Sequence, residues 1–301
     1  MTEVLTPSGV LLDQPLVPGS TEWLQRMSAS KIAAVVGLSP YESRYSLWMQ
    51  MAGRAAQPVQ TKAMARGHYL EPAIAAWFAD QHPECRIVTT GTYSHRDDER
   101  LVASPDREKI DPDGNVELVQ CKSAGDLEDW GPADSDDIPV GYRAQVIWEL
   151  MVTGLQRCHV AVILPYLEFR PFVIEFDEAE AAYLRAQALE FMASIEEGRV
   201  PELDGHKATY EAVRRLHPDI ADVKVDTPAE LAVAFVEAVE ACKAAESAKR
   251  EASARLVDHM GSAKAAYHAG VCIARRQAKG DGVPYLVPAK NVNLTDVRSA
   301  A

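Results

Sequence analysis

The hydrophobic pattern of this chain switches several times between helical and strand spacing from residue 64 to residue 197, which leaves few architectures open. Residues 64–81 have the spacing of an amphipathic helix, and residues 139–153 and 177–197 repeat it. Short apolar or alternating runs lie between these helices and predict strands. This order predicts an α/β fold with a mixed central β-sheet flanked by helices. The predicted strands are Arg86–Thr90, Leu101–Ser104, Val116–Lys122, His159–Leu164 and Phe169–Phe176.

The sequence on either side of this region differs from it in composition and in hydrophobic periodicity. Residues 1–20 are rich in proline and glycine and lack periodicity, which predicts a flexible N-terminal arm. Far downstream, Thr227-Pro228-Ala229-Glu230 is a capping box that opens an alanine-rich helix running to Met260, before a predicted hairpin. We therefore predict a core over residues 21–205 and a helical, basic C-terminal extension over residues 206–301.

Charge is distributed unevenly along the chain. The net charge is −13, which taken alone argues against nucleic acid, since phosphate binding needs clustered Lys and Arg. Residues 96–137, however, hold 14 acidic and five basic side chains, whereas residues 242–279 hold eight basic and three acidic ones. An acidic metal site and a phosphate-facing basic surface fit this division. Two solvated faces of opposite sign are the alternative.

Several classes of protein are disfavoured by what the sequence lacks. The five cysteines are scattered and never in CxxC spacing, which argues against a disulfide framework and favours a reducing compartment. No segment approaches the roughly 18 apolar residues of a membrane span, and the first residues do not have the pattern of a signal peptide. No phosphate-binding loop motif occurs. We expect a cytoplasmic protein with no membrane partner and no nucleotide cofactor.

Asp106 and Lys122 form the most informative pair of residues. Ser104-Pro105-Asp106 ends one predicted strand, and Gln120-Cys121-Lys122 ends the next. Gln120 and Lys122 project from the same face, because residues two apart in a strand point the same way. An aspartate that holds a hard divalent cation beside a lysine suits metal-assisted hydrolysis of a phosphodiester. The alternative is an ordinary strand with one surface aspartate and one surface lysine.

Two helices add polar residues to this picture. Arg66-Gly67-His68-Tyr69-Leu70-Glu71 places Glu71 on a helix whose other face is apolar. In the helix after the third strand, Gln145 and Glu149 share one face. Solvated surface positions are the alternative for Glu71 and Gln145.

With these segments in order, the chain resembles the YqaJ-like viral recombinases and phage lambda exonuclease, within the PD-(D/E)xK nuclease superfamily. The resemblance covers residues 23–198 and depends on four segments with a β-β-β-α pattern between them. Trp23–Arg26 with Ser28–Ser30 resembles the family's N-terminal segment, and Gly67–Glu71 its glutamate-bearing helix. Ser104–Asp106 resembles its "SPDG" turn, and Tyr142–Val146 its "Y-x-A-Q-x-Q" helix.

The resemblance implies a restriction-endonuclease-like core, a function and a set of site residues. Glu71, Asp106, Gln120 and the backbone carbonyl of Cys121 would surround Mg²⁺, or Mn²⁺ in its place. Lys122 would be the catalytic lysine, and Gln145 would lie near the scissile phosphate. The residues implied to bind DNA are Arg26, Ser28, Ser30, Arg66 and Tyr142.

The implied function is a Mg²⁺-dependent exonuclease that degrades linear duplex DNA, 5′ to 3′, and leaves single strand for recombination. The implied partners are DNA ends, a single-strand annealing protein and further copies of the chain in a homo-oligomer. Two departures keep alternatives open: Gln120 replaces the family's glutamate, and Arg107 replaces the glycine after Asp106. The alternatives are an endonuclease of the same fold in repair or defence, and a catalytically degenerate protein that binds DNA ends.

Overall fold

The computed structural model describes residues 9–56, 61–127, 129–289, 292 and 294–299 of the 301-residue chain. The chain divides into two compact units, the first ending at Ile220 and the second beginning at Ala221. Within the described ranges, no helix is both long enough and apolar enough to cross a membrane.

Helices and two β-sheets make up the first unit. A five-stranded sheet has the order β3-β6-β7-β8-β9, and a four-stranded sheet has the order β1-β4-β5-β2. The strands are β1 (Gly9–Leu11), β2 (Met27–Ser28), β3 (Arg86–Val88), β4 (Tyr93–His95), β5 (Asp98–Ala103), β6 (Arg107–Ile110), β7 (Val116–Ser123), β8 (Arg157–Leu164) and β9 (Glu168–Glu175). The helices are α1 (Thr21–Leu24), α2 (Ala29–Val35), α3 (Arg44–Met51), α4 (Lys62–Gln81), α5 (Val140–Thr153), α6 (Glu178–Glu196) and α7 (Lys207–Leu216), and a 3-10 turn spans Pro165–Leu167.

The five-stranded sheet is mixed, because β7 and β8 run parallel whereas its other neighbouring strands are antiparallel. The parallel pair is joined by α5, as a crossover between parallel strands requires. α5 ends at Gly154, whose φ of 75° closes the helix in the left-handed region that glycine adopts readily. Trp148 of this helix is fully buried and donates its indole N–H to the carbonyl of Val102 in β5 at 3.0 Å. The crossover helix is thereby anchored to the four-stranded sheet.

Strand alternation in β7 divides its side chains between two apolar clusters. Leu118 belongs to the main core, which is formed largely with α2, α3, α5 and α6. Val119 and Cys121 belong to a second cluster with Ile74 and Phe78 of α4. Gln120 and Lys122 therefore lie on the α5 side of the sheet, as the period of two predicts.

The second unit contains one long helix and a small antiparallel sheet. The helix is α8 (Ala229–Met260), which ends at Gly261. Leu231 and Phe235 of this helix are exposed, whereas Met260 at its end is buried. The sheet has the order β10-β11-β12. Its strands are β10 (Ala265–His268), β11 (Val271–Gln277) and β12 (Tyr285–Pro288), followed by the short helix α9 (Leu294–Ser299).

The structure confirms the mixed sheet flanked by helices and the helical C-terminal extension. It also adds elements that the pattern did not predict, including β1, β2, β4, β6 and α7. Part of the predicted flexible arm forms a strand instead. Gly9–Leu11 pairs with Tyr93–His95, because its backbone groups find hydrogen-bond partners at the edge of the four-stranded sheet. Residues 1–8 of that arm lie outside the described residues. The division of the chain at residue 205 stays a prediction.

Candidate active site

Asp106 lies where the chain passes from one sheet of the first unit to the other. Ser104-Pro105-Asp106 connects β5 of the four-stranded sheet to β6 of the five-stranded sheet. β6 pairs with β7 so that Arg107 lies opposite Val119, which brings Asp106 beside the end of β7. Asp106 Oδ2 accepts the backbone N–H of Cys121 at 2.8 Å. The structure therefore brings the aspartate and the Gln120-Cys121-Lys122 segment together.

The environment of Asp106 is electrostatically mixed. Burial raises the pKa of this carboxyl group above its ordinary value, whereas the charge of Lys122 acts in the opposite direction. One hydrogen bond to the backbone of β7 leaves this carboxylate with further lone pairs that a cation could use. A buried carboxylate of this kind is stabilised by any cation that binds beside it.

Four side chains on β7 and α5 form a closed ring of hydrogen bonds. Lys122 Nζ donates to Gln120 Oε1 at 3.1 Å and to Gln145 Oε1 at 3.2 Å. Gln120 Nε2 donates to Glu149 Oε2 at 2.7 Å, and Gln145 Nε2 donates to Glu149 Oε1 at 2.9 Å. The ammonium of Lys122 also lies 5.3 Å from the ring centroid of Tyr142. The predicted lysine and both predicted glutamines thus belong to one assembly.

Glu149 is the residue of this ring to which sequence reasoning assigned no role. Its side chain has no exposed surface, and Gln120 has 1% exposure. Burial raises the pKa of Glu149 to about 7, opposed by the charge of Lys122 and by the hydrogen bond from Gln145. The signal in the sequence was a glutamate four residues after Gln145 within the apolar run of α5, on the same helix face.

Glu71 and Arg107 form an ion pair next to Asp106. Arg107 Nη1 lies 2.7 Å from Glu71 Oε1, and the same guanidinium donates to the backbone carbonyl of Asp106. Arg107 is the residue that replaces the family's glycine, and it places a positive charge between two predicted metal ligands. A cation that binds Glu71 must therefore compete with the guanidinium.

The oxygen atoms of this site fit a hard divalent cation. The predicted ligands Glu71 and Asp106 would supply carboxylates, and Gln120 would supply the amide carbonyl that also accepts from Lys122; Mg²⁺ accepts both donor types. No group of three or more His, Cys, Asp and Glu side chains is assembled for a metal anywhere in the part of the chain that the structure describes. The predicted donor set would accordingly be two carboxylates and neutral oxygens, so it would carry one negative charge less than a site with a glutamate at position 120.

A cleft of about 610 Å³ opens beside the ring of hydrogen bonds. Three of the residues predicted to bind DNA, Ser30, Arg66 and Tyr142, line this cleft together with Gln145. Gln145 connects the cleft to the site, because its Oε1 accepts the hydrogen bond from Lys122.

Arg26 and Ser28 lie outside the lining of that cleft. Arg26 donates to Glu22 and to the backbone carbonyl of Glu99, each at 3.1 Å. Ser28 is buried, and its hydroxyl lies 3.1 Å from that of Ser30. The structure therefore places Ser30 in the lining of the cleft, whereas Arg26 is hydrogen-bonded to Glu22 and Glu99. The phosphate-binding role of Arg26 stays a prediction.

Glu117 lies on the opposite face of β7 from the ring, as its position in the strand predicts. It contacts Lys109 Nζ at 2.8 Å and His159 Nε2 at 2.8 Å. Burial alone would raise the pKa of Glu117, but the hydrogen bonds from Lys109 and His159 lower it to about 2. Glu117 therefore has partners of its own and does not replace the carboxylate that Gln120 lacks.

Comparison with known proteins confirms the family resemblance. Residues 22–156 match the family model of the YqaJ-like viral recombinase domain. This segment contains Glu71, Asp106, Lys122 and Gln145. No curated protein matches the chain significantly.

Several solved structures are similar to the chain at low sequence identity. An alkaline exonuclease from Laribacter hongkongensis is 20% identical, with a TM-score of 0.49, over 66% of this chain and 100% of its own. A second structure of that exonuclease, in complex with dAMP, is 20% identical with a TM-score of 0.49, over 67% and 97%. A phage-related exonuclease from Haemophilus somnus 129PT is 10% identical, with a TM-score of 0.40, over 64% and 96%.

Proposed function

We propose that this chain, whose residues 22–156 match the family model of the YqaJ-like viral recombinase domain, is a metal-dependent deoxyribonuclease that acts as an exonuclease on linear duplex DNA. The observation that carries the proposal is the placement of Lys122 beside Asp106. Asp106 is bonded to the backbone of Cys121, and the ammonium of the next residue is held by two amide oxygens at the edge of a cleft. A carboxylate and a lysine in this relation suit phosphodiester hydrolysis.

Glu71, Asp106 and Gln120 would hold a divalent cation, with the backbone carbonyl of Cys121 as a further oxygen. Mg²⁺ is the proposed ion, and Mn²⁺ accepts the same oxygen donors. Such a cation supplies positive charge for the phosphate oxygens and lowers the pKa of water. Among the charged side chains that line the cleft are Arg66, Asp126 and Asp129. Because this lining is not basic, a cation held by Asp106 would strengthen the attraction of DNA phosphate.

The proposed role of Lys122 follows from the number of its protons. An ammonium group has three N–H donors, and two of them are directed to the carbonyls of Gln120 and Gln145. The third donor is then available for the attacking water or for an oxygen of the scissile phosphate. Because two carbonyls restrict the side chain, this donor has a defined direction, which is the condition for useful electrostatic catalysis.

The finer parts of the proposal come from the family. Digestion in the 5′ to 3′ direction would leave single strand, which an annealing protein would use during recombination. A homo-oligomer would keep the enzyme on the duplex, and the site of action would be the cytoplasm of the host cell. Ser30, Arg66 and Tyr142 are proposed to contact the DNA backbone, since they line the cleft with Gln145.

The experiment compares linear duplex DNA with covalently closed circular DNA of the same sequence, each incubated with and without Mg²⁺. An exonuclease digests the linear form in Mg²⁺ and leaves the closed circle intact. Cleavage of the closed circle would favour the alternative of an endonuclease. Binding to linear DNA without turnover would favour the alternative of a degenerate protein that binds DNA ends, which the neutral Gln120 motivates.

A further inference from the structure

Glu149 has no assigned role, yet it determines which way two side chains of the site face. A glutamine amide can present either its oxygen or its NH₂ group to a neighbour, and the neighbours decide the orientation. Both oxygens of Glu149 accept from amide nitrogens, as in an ionised carboxylate, which accepts hydrogen bonds and donates none; this form prevails above its pKa of about 7. Because Glu149 accepts from both Gln120 and Gln145, the NH₂ groups of both amides face it. Their oxygens must then face Lys122, as observed.

We propose that Glu149 is a positioning residue that turns both amide oxygens toward Lys122 and supplies, from behind Gln120, the negative charge that the glutamine lacks. The proposal deepens the function proposed above and rests on it. In the family pattern a glutamate stands two residues before the lysine. Here the amide of Gln120 stands between the lysine and the fully buried carboxylate of Glu149.

Because Glu149 is buried, its carboxylate needs the hydrogen bonds of this ring. A buried carboxylate is costly unless hydrogen bonds and a counter-charge compensate for its lost hydration. Glu149 has two amide donors, and the ammonium of Lys122 is one amide away through either glutamine. The ring therefore joins one negative and one positive group through two neutral amides. Each amide is used at both ends, so no member can rotate without breaking two hydrogen bonds.

The test begins with Glu149→Gln, measured on end-labelled linear duplex in saturating Mg²⁺ at a pH well above the Glu149 pKa of about 7, so that the wild-type residue is ionised. The new amide carries its own NH₂ group, so it cannot accept from both neighbours at once in the present geometry. One neighbouring amide has to turn its NH₂ group toward Lys122. We expect kcat to fall by about ten- to a hundredfold, the range that one misplaced charge-assisted hydrogen bond is worth. KM for DNA should change little, since Glu149 is fully buried.

The exchange variant Gln120→Glu with Glu149→Gln separates positioning from a loss of folding. The amide at position 149 can donate to the carboxylate at position 120 and accept from Gln145, which restores all four hydrogen bonds. We expect this double variant to recover most of the wild-type kcat. Glu42→Gln is the matched control, because Glu42 also accepts from a glutamine amide, that of Gln50, outside the ring. It should retain wild-type kcat.

Wild-type kcat in a folded Glu149→Gln protein, or an exchange variant that folds but is as slow as Glu149→Gln, would overturn the inference. If Glu149→Gln does not fold, recovery of both folding and kcat in the exchange variant supports positioning, and a folded, inactive exchange variant refutes it. A wild-type protein without any nuclease activity would instead remove the proposed function, and the inference with it.

Discussion

Arg107 allows a quantitative test of the metal site, because its guanidinium holds a predicted metal ligand. Arg107 Nη1 lies 2.7 Å from Glu71 Oε1, and the two side chains are 14% and 30% exposed. A partly exposed ion pair of this kind is worth about 0.2–1 kcal/mol. Arg107→Ala removes that competition, so the full amount becomes available to a cation at Glu71. Since about 1.4 kcal/mol corresponds to a tenfold change, the half-saturating Mg²⁺ concentration should fall by about 1.4- to 5-fold.

The assay is a Mg²⁺ titration of the initial rate on one linear duplex, supported by direct titration of Mn²⁺ binding without DNA. Arg100→Ala is the matched control, since Arg100 pairs with Asp98 and Glu196 rather than with a site residue. Its Mg²⁺ curve should overlay that of the wild type. If the Arg107→Ala and wild-type curves also overlay, Glu71 does not contribute to metal binding in competition with Arg107. A higher half-saturating Mg²⁺ concentration for Arg107→Ala than for the wild type would show that Arg107 does not compete with the cation.

Three further predictions concern single residues. Lys122→Met should lower turnover by about 10²–10⁴-fold, measured in single-turnover digestion, while fluorescence anisotropy shows that DNA binding is retained. Arg26→Ala should abolish a preference for 5′-phosphorylated over 5′-hydroxyl ends, because a guanidinium can bind a terminal phosphate through two hydrogen bonds; equal digestion of both ends by the wild type would exclude this role. Glu117 has a pKa of about 2 in the folded protein, below the value of about 4.3 in an unfolded chain. Its ionised form therefore stabilises the fold fully above about pH 4.3, and this stabilisation is lost as the pH falls toward about 2. Urea unfolding of the wild type and Glu117→Gln should therefore differ at pH 6 and converge on acidification, and a constant difference would contradict the assignment.

Much of the candidate site could be predicted because it depends on local periodicity. The alternation of β7 places Gln120 and Lys122 on one face and Glu117 on the other, and the structure agrees. The sequence also predicts that Asp106 directly follows a strand. What local pattern could not provide was the crossing of the chain between two sheets at Asp106, since pairing partners far apart in sequence decide that step.

Glu149 shows the limit of sequence reasoning most clearly. A helix period identifies the face that Glu149 shares with Gln145, but it does not reveal that this face turns inward against β7. From sequence alone, Gln120→Glu would be expected to restore a missing charge and tighten Mg²⁺ binding. In the structure the new carboxylate would meet Glu149, which is fully buried and 2.7 Å from the present amide nitrogen. Two like charges at that distance cannot both ionise easily, so only the exchange variant restores the balance.

The same limit applies to Arg26 and Arg107. Both are arginines near predicted site residues, and sequence spacing alone does not show which acid each one contacts. The structure pairs Arg26 with Glu22, away from the cleft lining, and Arg107 with Glu71, inside the site. Side-chain pairing depends on the three-dimensional neighbourhood, which helical and strand periods do not determine.

Metal-dependent catalysis at Asp106 is tested most directly by the release of end label from linear duplex DNA by wild-type protein and by Asp106→Asn, in Mg²⁺ and in EDTA. We expect release only by the wild type in Mg²⁺. Loss of this metal ligand should cost several kcal/mol of transition-state stabilisation, hence about a thousandfold or more in rate. Asp113→Asn, which changes an exposed aspartate in the turn before β7, should keep full activity. Release by Asp106→Asn at a rate near that of the wild type, or equal release in EDTA, would show that the protein does not use a metal ion held by Asp106.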